Sequence, residues 1–187
     1  MTDATKTNLT NAIHSLVLKK PLSKITIGEL SAEAQVNRQT FYYHFHDLVD
    51  LLAYVARAEI DPLVSSEDFG YVFEDDLRHI LEIAAKDDSV VLNSYRYLET
   101  ETTGLIVMQI VHPLVLRYVT DGTIGLKVND DQISSCIRFW DIALKGVVIQ
   151  YLSTHHKVDL EWYAHRTAVM LKGISRRTLI NLMNEKK

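Results

Sequence analysis

Cysteine is nearly absent from this 187-residue chain: Cys136 stands alone, which excludes an intramolecular disulfide and suits a reducing cytoplasm. Proline and glycine are scarce too, at three and seven residues. Little therefore interrupts the periodic stretches, and an all-helical architecture is expected. No run of about 18 apolar residues occurs, and no apolar segment opens the chain, so a cytoplasmic protein without membrane insertion or export is expected. The short motifs of enzyme chemistry are missing as well. There is no nucleophile elbow, no Gly-rich phosphate loop with Lys, no zinc-protease helix and no dinucleotide fingerprint. Ser, His and Asp occur, but no spacing places them together, so neither an enzyme nor a cofactor is expected.

Hydrophobic residues make up 47% of the chain, which is the composition of a globular protein. The net charge of −4 is unevenly spread. Residues 5–46 carry Lys6, Lys19, Lys20, Lys24 and Arg38 against Glu29 and Glu33. Residues 61–101 carry eleven acidic and three basic groups, whereas residues 102–187 carry seven acidic and eleven basic ones. A modestly basic front end on an acidic middle suits a head that meets a polyanion and a body that avoids it. Eight histidines raise the question of a metal. The densest group is His155, His156 and His165, yet adjacent residues point different ways on a helix and no Cys or carboxylate completes a ligand spacing, so no metal is expected.

The most informative stretch is Ile25 to Phe45. Ile27, Leu30 and Ala34 recur at three- and four-residue spacing and line one face of a short helix, which Thr26 is placed to cap. Asn37 is placed to cap the next helix, after a connector whose one apolar residue, Val36, is expected to point inward. In that second helix Phe41 and Phe45 share a face and bury together. The remaining faces present Arg38, Gln39, Thr40, Tyr42, Tyr43 and His44. Long hydrogen-bonding side chains, a guanidinium and two phenols are the equipment for base edges and phosphates, so operator duplex DNA is the expected partner.

Thr26-Ile27, followed by Glu33-Ala34-x-Val36-x-x-x-Thr40-Phe41-Tyr42-Tyr43-His44-Phe45, resembles the signature of the TetR family of bacterial transcription regulators. The likeness covers roughly residues 8–55. It implies an all-α protein with a three-helix, helix-turn-helix DNA-binding head at 1–47 and a larger helical regulatory and dimerisation domain at 48–187. By position, it gives Arg38, Gln39 and Thr40 to bases, and Thr26, Tyr42, Tyr43 and His44 to phosphates or to placing the recognition helix, with Asn37 beside them. Two positions depart from the pattern. The turn usually holds Gly where this chain has Gln35, which forces a left-handed backbone on a residue with a side chain. A Lys common in the family is replaced by Leu48.

Elsewhere the periodicity predicts helices at 5–19, from Asp47 to about Asp61-Pro62, at 71–86 and at 88–101, with a polar linker at 63–70. The apolar segment 105–119 should kink or split near His112-Pro113, ahead of a loop at 121–129. Two long helices, 130–154 and 159–183, should close the chain. The first carries Ile133, Ile137, Trp140, Leu144, Val147 and Tyr151 at heptad spacing, and the second continues the seam through Leu171 and Ile174. Gly146 and Gly173 lie inside these helices, which suggests close approach of a neighbouring backbone. An intramolecular hairpin accounts for such a seam. The resemblance instead implies a homodimer, because TetR-like proteins pair their last two helices into a four-helix bundle.

The resemblance also implies an effector. In many TetR-like proteins a small molecule sits in the body, and Tyr95, Tyr97, Met108, His112, Phe139 and Trp140 are candidates to line such a pocket, although the same residues serve equally as plain core. The junction Tyr42 to Leu52 is also similar to TetR-family activators of dihydroxyacetone-kinase operons, whose signal arrives through a kinase-like coactivator protein. The acidic residues Glu74, Asp75 and Asp76 would then mark a docking face, or simply a solvated one.

Overall fold

Capping chemistry sets the ends of the short N-terminal helices. In the computed structural model, which describes residues 2–154 and 157–185, regular structure is helical, with no strand among the described residues. Helix α1 (Thr2–Val17) is followed by a 3₁₀ turn at Leu22–Lys24, then α2 (Ile27–Glu33), α3 (Arg38–His44) and α4 (Leu48–Val64). Thr26 and Glu29 form a reciprocal capping box at the start of α2. Asn37 caps α3 and Asp47 accepts the Asp50 N–H at the start of α4. The remaining helices are α5 (Phe73–Ala85), α6 (Val90–Tyr97), α7 (Thr100–Gly122), α8 (Asp130–Ser153), α9 (Leu160–Leu171) and α10 (Ile174–Met183).

The chain forms two units, Met1–Glu59 with Ile83–Gln109, and Ile60–Glu82 with Ile110–Lys187. In the first unit α1 packs on α2 and α6, and α2 packs on α3. Leu9, Ile13, Leu30, Phe41, Leu51, Leu52 and Val55 are fully buried there. Helix α6 is buried from Val90 to Ser94, and its polar side chains are satisfied internally: Ser94 donates to the Val90 carbonyl, and Asn93 to those of Asp87 and Ser89. The sequence suggested one acidic helix over 88–101. The helix is shorter, and Asp87, Asp88, Glu99 and Glu101 fall outside it.

Three further expectations are corrected. Helix α4 runs through Pro62 to Val64, since a proline near the helix end deletes one N–H and leaves the last turn standing. Helix α7 carries Pro113 inside an unbroken span. It is also long and apolar enough to cross a membrane by length and composition, and 56% of its most apolar 18-residue window is buried in the protein. The final helix is two helices: Gly173 adopts φ 73° and ends the run at Leu171 and Lys172. Tyr118 fixes this break, donating its hydroxyl to the Leu171 carbonyl and accepting the Ser175 N–H at 3.5 Å.

In the second unit α8 packs on α10, and the Tyr163 hydroxyl of α9 donates to the Val147 carbonyl of α8 at 2.9 Å. Trp140, Leu144, Val148 and Tyr151 line the buried face of α8. Trp140 lies edge-on to Tyr118 with ring centres 5.3 Å apart.

Candidate nucleic-acid interface

Helix α3 is anchored by Phe41 and by its C-cap Phe45, four residues on, and left largely bare between them. Phe41 and Phe45 are buried with ring centres 5.9 Å apart, and Phe45 reaches Tyr54 of α4 at 5.5 Å. Lys6 of α1 places its ammonium over the Tyr54 ring at 4.8 Å and near Phe45 at 5.9 Å, pinning α1 to the base of α3. Spacing alone gives no hint of this contact. With Phe41 and Phe45 fixed, Tyr42 and Tyr43 are turned out, 57% and 79% exposed. Tyr42 stands edge-on to Phe41, and Tyr43 edge-on to a half-buried His44. Arg38 and Gln39 are exposed, and Asn37, Gln39, Thr40 and Tyr43 line a shallow cavity of about 270 Å³.

Local hydrogen bonds already use part of this set. Asn37 Oδ1 accepts both the backbone N–H (2.7 Å) and the hydroxyl (3.0 Å) of Thr40, so Asn37 acts first as a cap. The Thr26 hydroxyl donates to Glu29, which also takes the Lys20 ammonium at 2.6 Å. The Lys20 hydrogen bond, then those from Thr26, pull the Glu29 carboxyl down to about 2. Lys19 is similarly paired with Glu33 at 2.9 Å. Arg38 makes no ion pair among the described residues, so its donors stay available for a ligand.

The turn between α2 and α3 holds Gln35 at φ 56°, the left-handed backbone expected where the family pattern has Gly. Its side chain is exposed, so nothing offsets the strain through packing. Gln35→Gly is expected to stabilise the protein by about 1 kcal/mol, as read by thermal unfolding. An unchanged or lower melting temperature would contradict the strain reading.

No family model matches this sequence, and no curated protein matches it by sequence. Solved structures do match in shape. A dihydroxyacetone kinase operon activator, DhaS, superposes with a TM-score of 0.63 at 15% identity, covering 92% of this chain and 97% of its own. RolR in complex with resorcinol gives 0.57 at 18% identity over 99% and 95% of the two chains. A TetR transcriptional regulator from Rhodococcus sp. RHA1 gives 0.55 at 16% identity over 99% and 98%. The chain has the fold of the TetR-family regulators.

Within that TetR-like fold, the residues assigned to the body divide sharply by exposure. Trp140 and Leu144 are buried in the protomer's own core and offer no surface to a second copy. Ile133, Ile137, Val147 and Leu171 are half-buried, and Ile174 is exposed. The apolar residues that α8 leaves bare are Phe139 and Ile142, 58% and 66% exposed, with Val169 and Met170 of α9 exposed as well. Gly146 shares the Ile142 side of α8, and a methyl group added there would meet nothing within 4 Å. The close approach expected at Gly146 is therefore not made by its own chain.

Of the candidate effector residues, Tyr97 is exposed, and Met108 and Tyr95 are half-buried in the first unit. In the second, His112 pairs through Nδ1 with the buried Asp141 carboxylate at 3.0 Å. The open grooves of that unit have other linings. One of about 530 Å³ runs along Tyr71, Phe73, Tyr118, His165 and Val169. Another, of about 590 Å³, is bordered by Leu63, Asp68, Asp75 and His79. Only Asp75 of the acidic trio is exposed. Glu74 pairs with His165 at 3.1 Å, and Asp76 is buried and accepts the Gly70 N–H at 2.8 Å. No three His, Cys, Asp or Glu residues are placed to hold a metal among the described residues, and His155 and His156 lie outside them.

Proposed function

We propose that this protein is a sequence-specific DNA-binding transcription regulator that works as a homodimer, with α3 as the recognition helix. The observation that carries the reading is the split character of α3. Two phenylalanines lock it to the head, while Arg38, Gln39, Tyr42 and Tyr43 project from it with no role in the core. Arg38 and Gln39 read bases, and Tyr42 and Tyr43 contact phosphates. Two copies place two such helices about one helical turn of duplex apart.

Selection of bound duplexes from a random pool should yield a near-palindromic site, with affinity falling steeply as salt rises. Arg38→Ala or Gln39→Ala should relax preference at particular base pairs, at a cost of about 1–3 kcal/mol. Tyr42→Phe should weaken all duplexes alike. Equal binding to selected and random duplex by the native protein would overturn the reading.

For the signal, we propose control by a protein coactivator, as the resemblance to TetR-family activators of dihydroxyacetone-kinase operons implies; a dihydroxyacetone kinase operon activator shares the fold over 92% of the chain. Its docking face is smaller than the acid-rich sequence implied, and centres on the exposed Glu67, Asp68 and Asp75. A small-molecule effector is the second reading, favoured by the groove lined with the Phe73 and Tyr118 rings, 4.7 Å apart. RolR, of the same fold, was solved with resorcinol. A metabolite retained by the purified protein and releasing it from DNA would select the second.

A further inference from the structure

The guanidinium of Arg38 lies against the backbone of Gly28. Gly28 is the second residue of α2, between the capping pair Thr26 and Glu29, and Arg38 is the first residue of α3. A Cβ built on Gly28 would stand 3.0 Å from Arg38 Cζ and 3.1 Å from Nε, and closer still to Nη2. Those separations are shorter than van der Waals contact, so any side chain at position 28 displaces the guanidinium. The backbone at Gly28 is ordinary helix, without the positive φ that calls for glycine elsewhere in this chain. Glycine in a helix is a poor choice on propensity alone. The three atoms nearest to the space it leaves all belong to the end of Arg38.

Neither neighbouring carboxylate explains why Arg38 lies there. Glu29 is paired with Lys20 and Glu33 with Lys19. The guanidinium lies close to Gly28 without an ion pair to either carboxylate.

We infer that Gly28 is a positioning residue for Arg38: its missing side chain lets the guanidinium lie across α2 and so fixes which base pair Arg38 reads. The inference rests on the proposed DNA-binding function and adds a determinant of specificity on α2, outside the recognition helix. Arg38 ends in a long flexible chain, so a methyl group at position 28 moves the guanidinium aside and leaves the fold intact.

The test uses the full-length protein and the duplex selected by the native sequence. Native protein, Gly28→Ala, Arg38→Ala and the double variant are titrated against that duplex and against its single-base-pair substitutions, alongside thermal unfolding. Gly28→Ala should relax preference at the base pair affected by Arg38→Ala, by about tenfold. The double variant should be no worse there than Arg38→Ala alone. The melting temperature of Gly28→Ala should not fall, because alanine favours helix; a role confined to folding predicts the opposite. Preference retained at that base pair in Gly28→Ala, or lost additively in the double variant, overturns this inference alone. A native protein with no base preference overturns it together with the reading of function.

Discussion

Ile142→Glu should leave the protein folded, turn it into a monomer and reduce operator affinity by two or more orders of magnitude. Ile142 is 66% exposed, so the new carboxylate meets water in the protomer and costs little there. In a two-fold dimer each copy presents the same patch, and the substitution buries two like charges in an apolar seam. Stranding charges in this way costs several kcal/mol. DNA affinity then falls because two heads on one frame bind with an effective concentration that separate heads lack, a gain of roughly 10²–10⁴. Sedimentation at micromolar concentration and fluorescence anisotropy read the two effects. A variant that still sediments as a dimer would remove this face of α8 from the interface. The seam read from the sequence predicts the same outcome for a charge at Leu144, but Leu144 is fully buried, and a charge there should unfold the protomer. Gly146→Ala, which favours the helix yet fills space left open in one chain, should weaken the dimer without destabilising the fold.

Glu59 should make the protein less stable as pH rises through neutrality, and Glu59→Gln should remove that dependence. The carboxyl hangs from α4 beneath the first turn of α6, accepting the Val90 N–H at 3.3 Å and the Ser89 hydroxyl at 3.2 Å. His14 of α1 stands 3.9 Å away. The His14 Nδ1 lies 2.9 Å from the Asp88 carbonyl, an acceptor only, so Nδ1 carries the proton there. Burial pushes the Glu59 carboxyl from its ordinary 4.5 up to about 7, against the lowering effects of the Val90 and Ser89 hydrogen bonds, while Asp88 raises it and Lys86 lowers it. The folded protein thus holds this proton more tightly than the unfolded chain. The resulting stability is fully present below pH 4.5 and is lost as pH climbs through about 7, an effect on the order of 3 kcal/mol. Relative to Glu59→Gln, the melting temperature of the native protein should fall by roughly 6–12 °C between pH 5 and pH 8. Parallel curves for the two proteins would refute the assignment.

Much of the head was legible because its signals are local. Thr26, Asn37 and Asp47 cap the helices they precede, Phe41 and Phe45 bury at i, i+4 spacing, and Gln35 takes the left-handed backbone. The body was less legible because periodicity finds an apolar stripe without saying what covers it. Trp140 and Leu144 lie on such a stripe and face their own chain, while Phe139 and Ile142 lie off it and are bare. Gly173 sits mid-pattern, and the Tyr118 contact that fixes the break lies 53 residues away along the chain from Leu171. The seating of Arg38 on Gly28 and the burial of Glu59 depend on which helices meet, which no spacing rule encodes.

Cys136, the sole cysteine, is almost fully buried on α8, and burial pushes its thiol up, away from the reactive thiolate form. A thiol-directed spin label will therefore pass over it. A second cysteine at the exposed Ser23 of the head becomes the single labelled site, and in the proposed dimer the separation of the two heads can be measured by pulsed electron resonance with the native cysteine left in place.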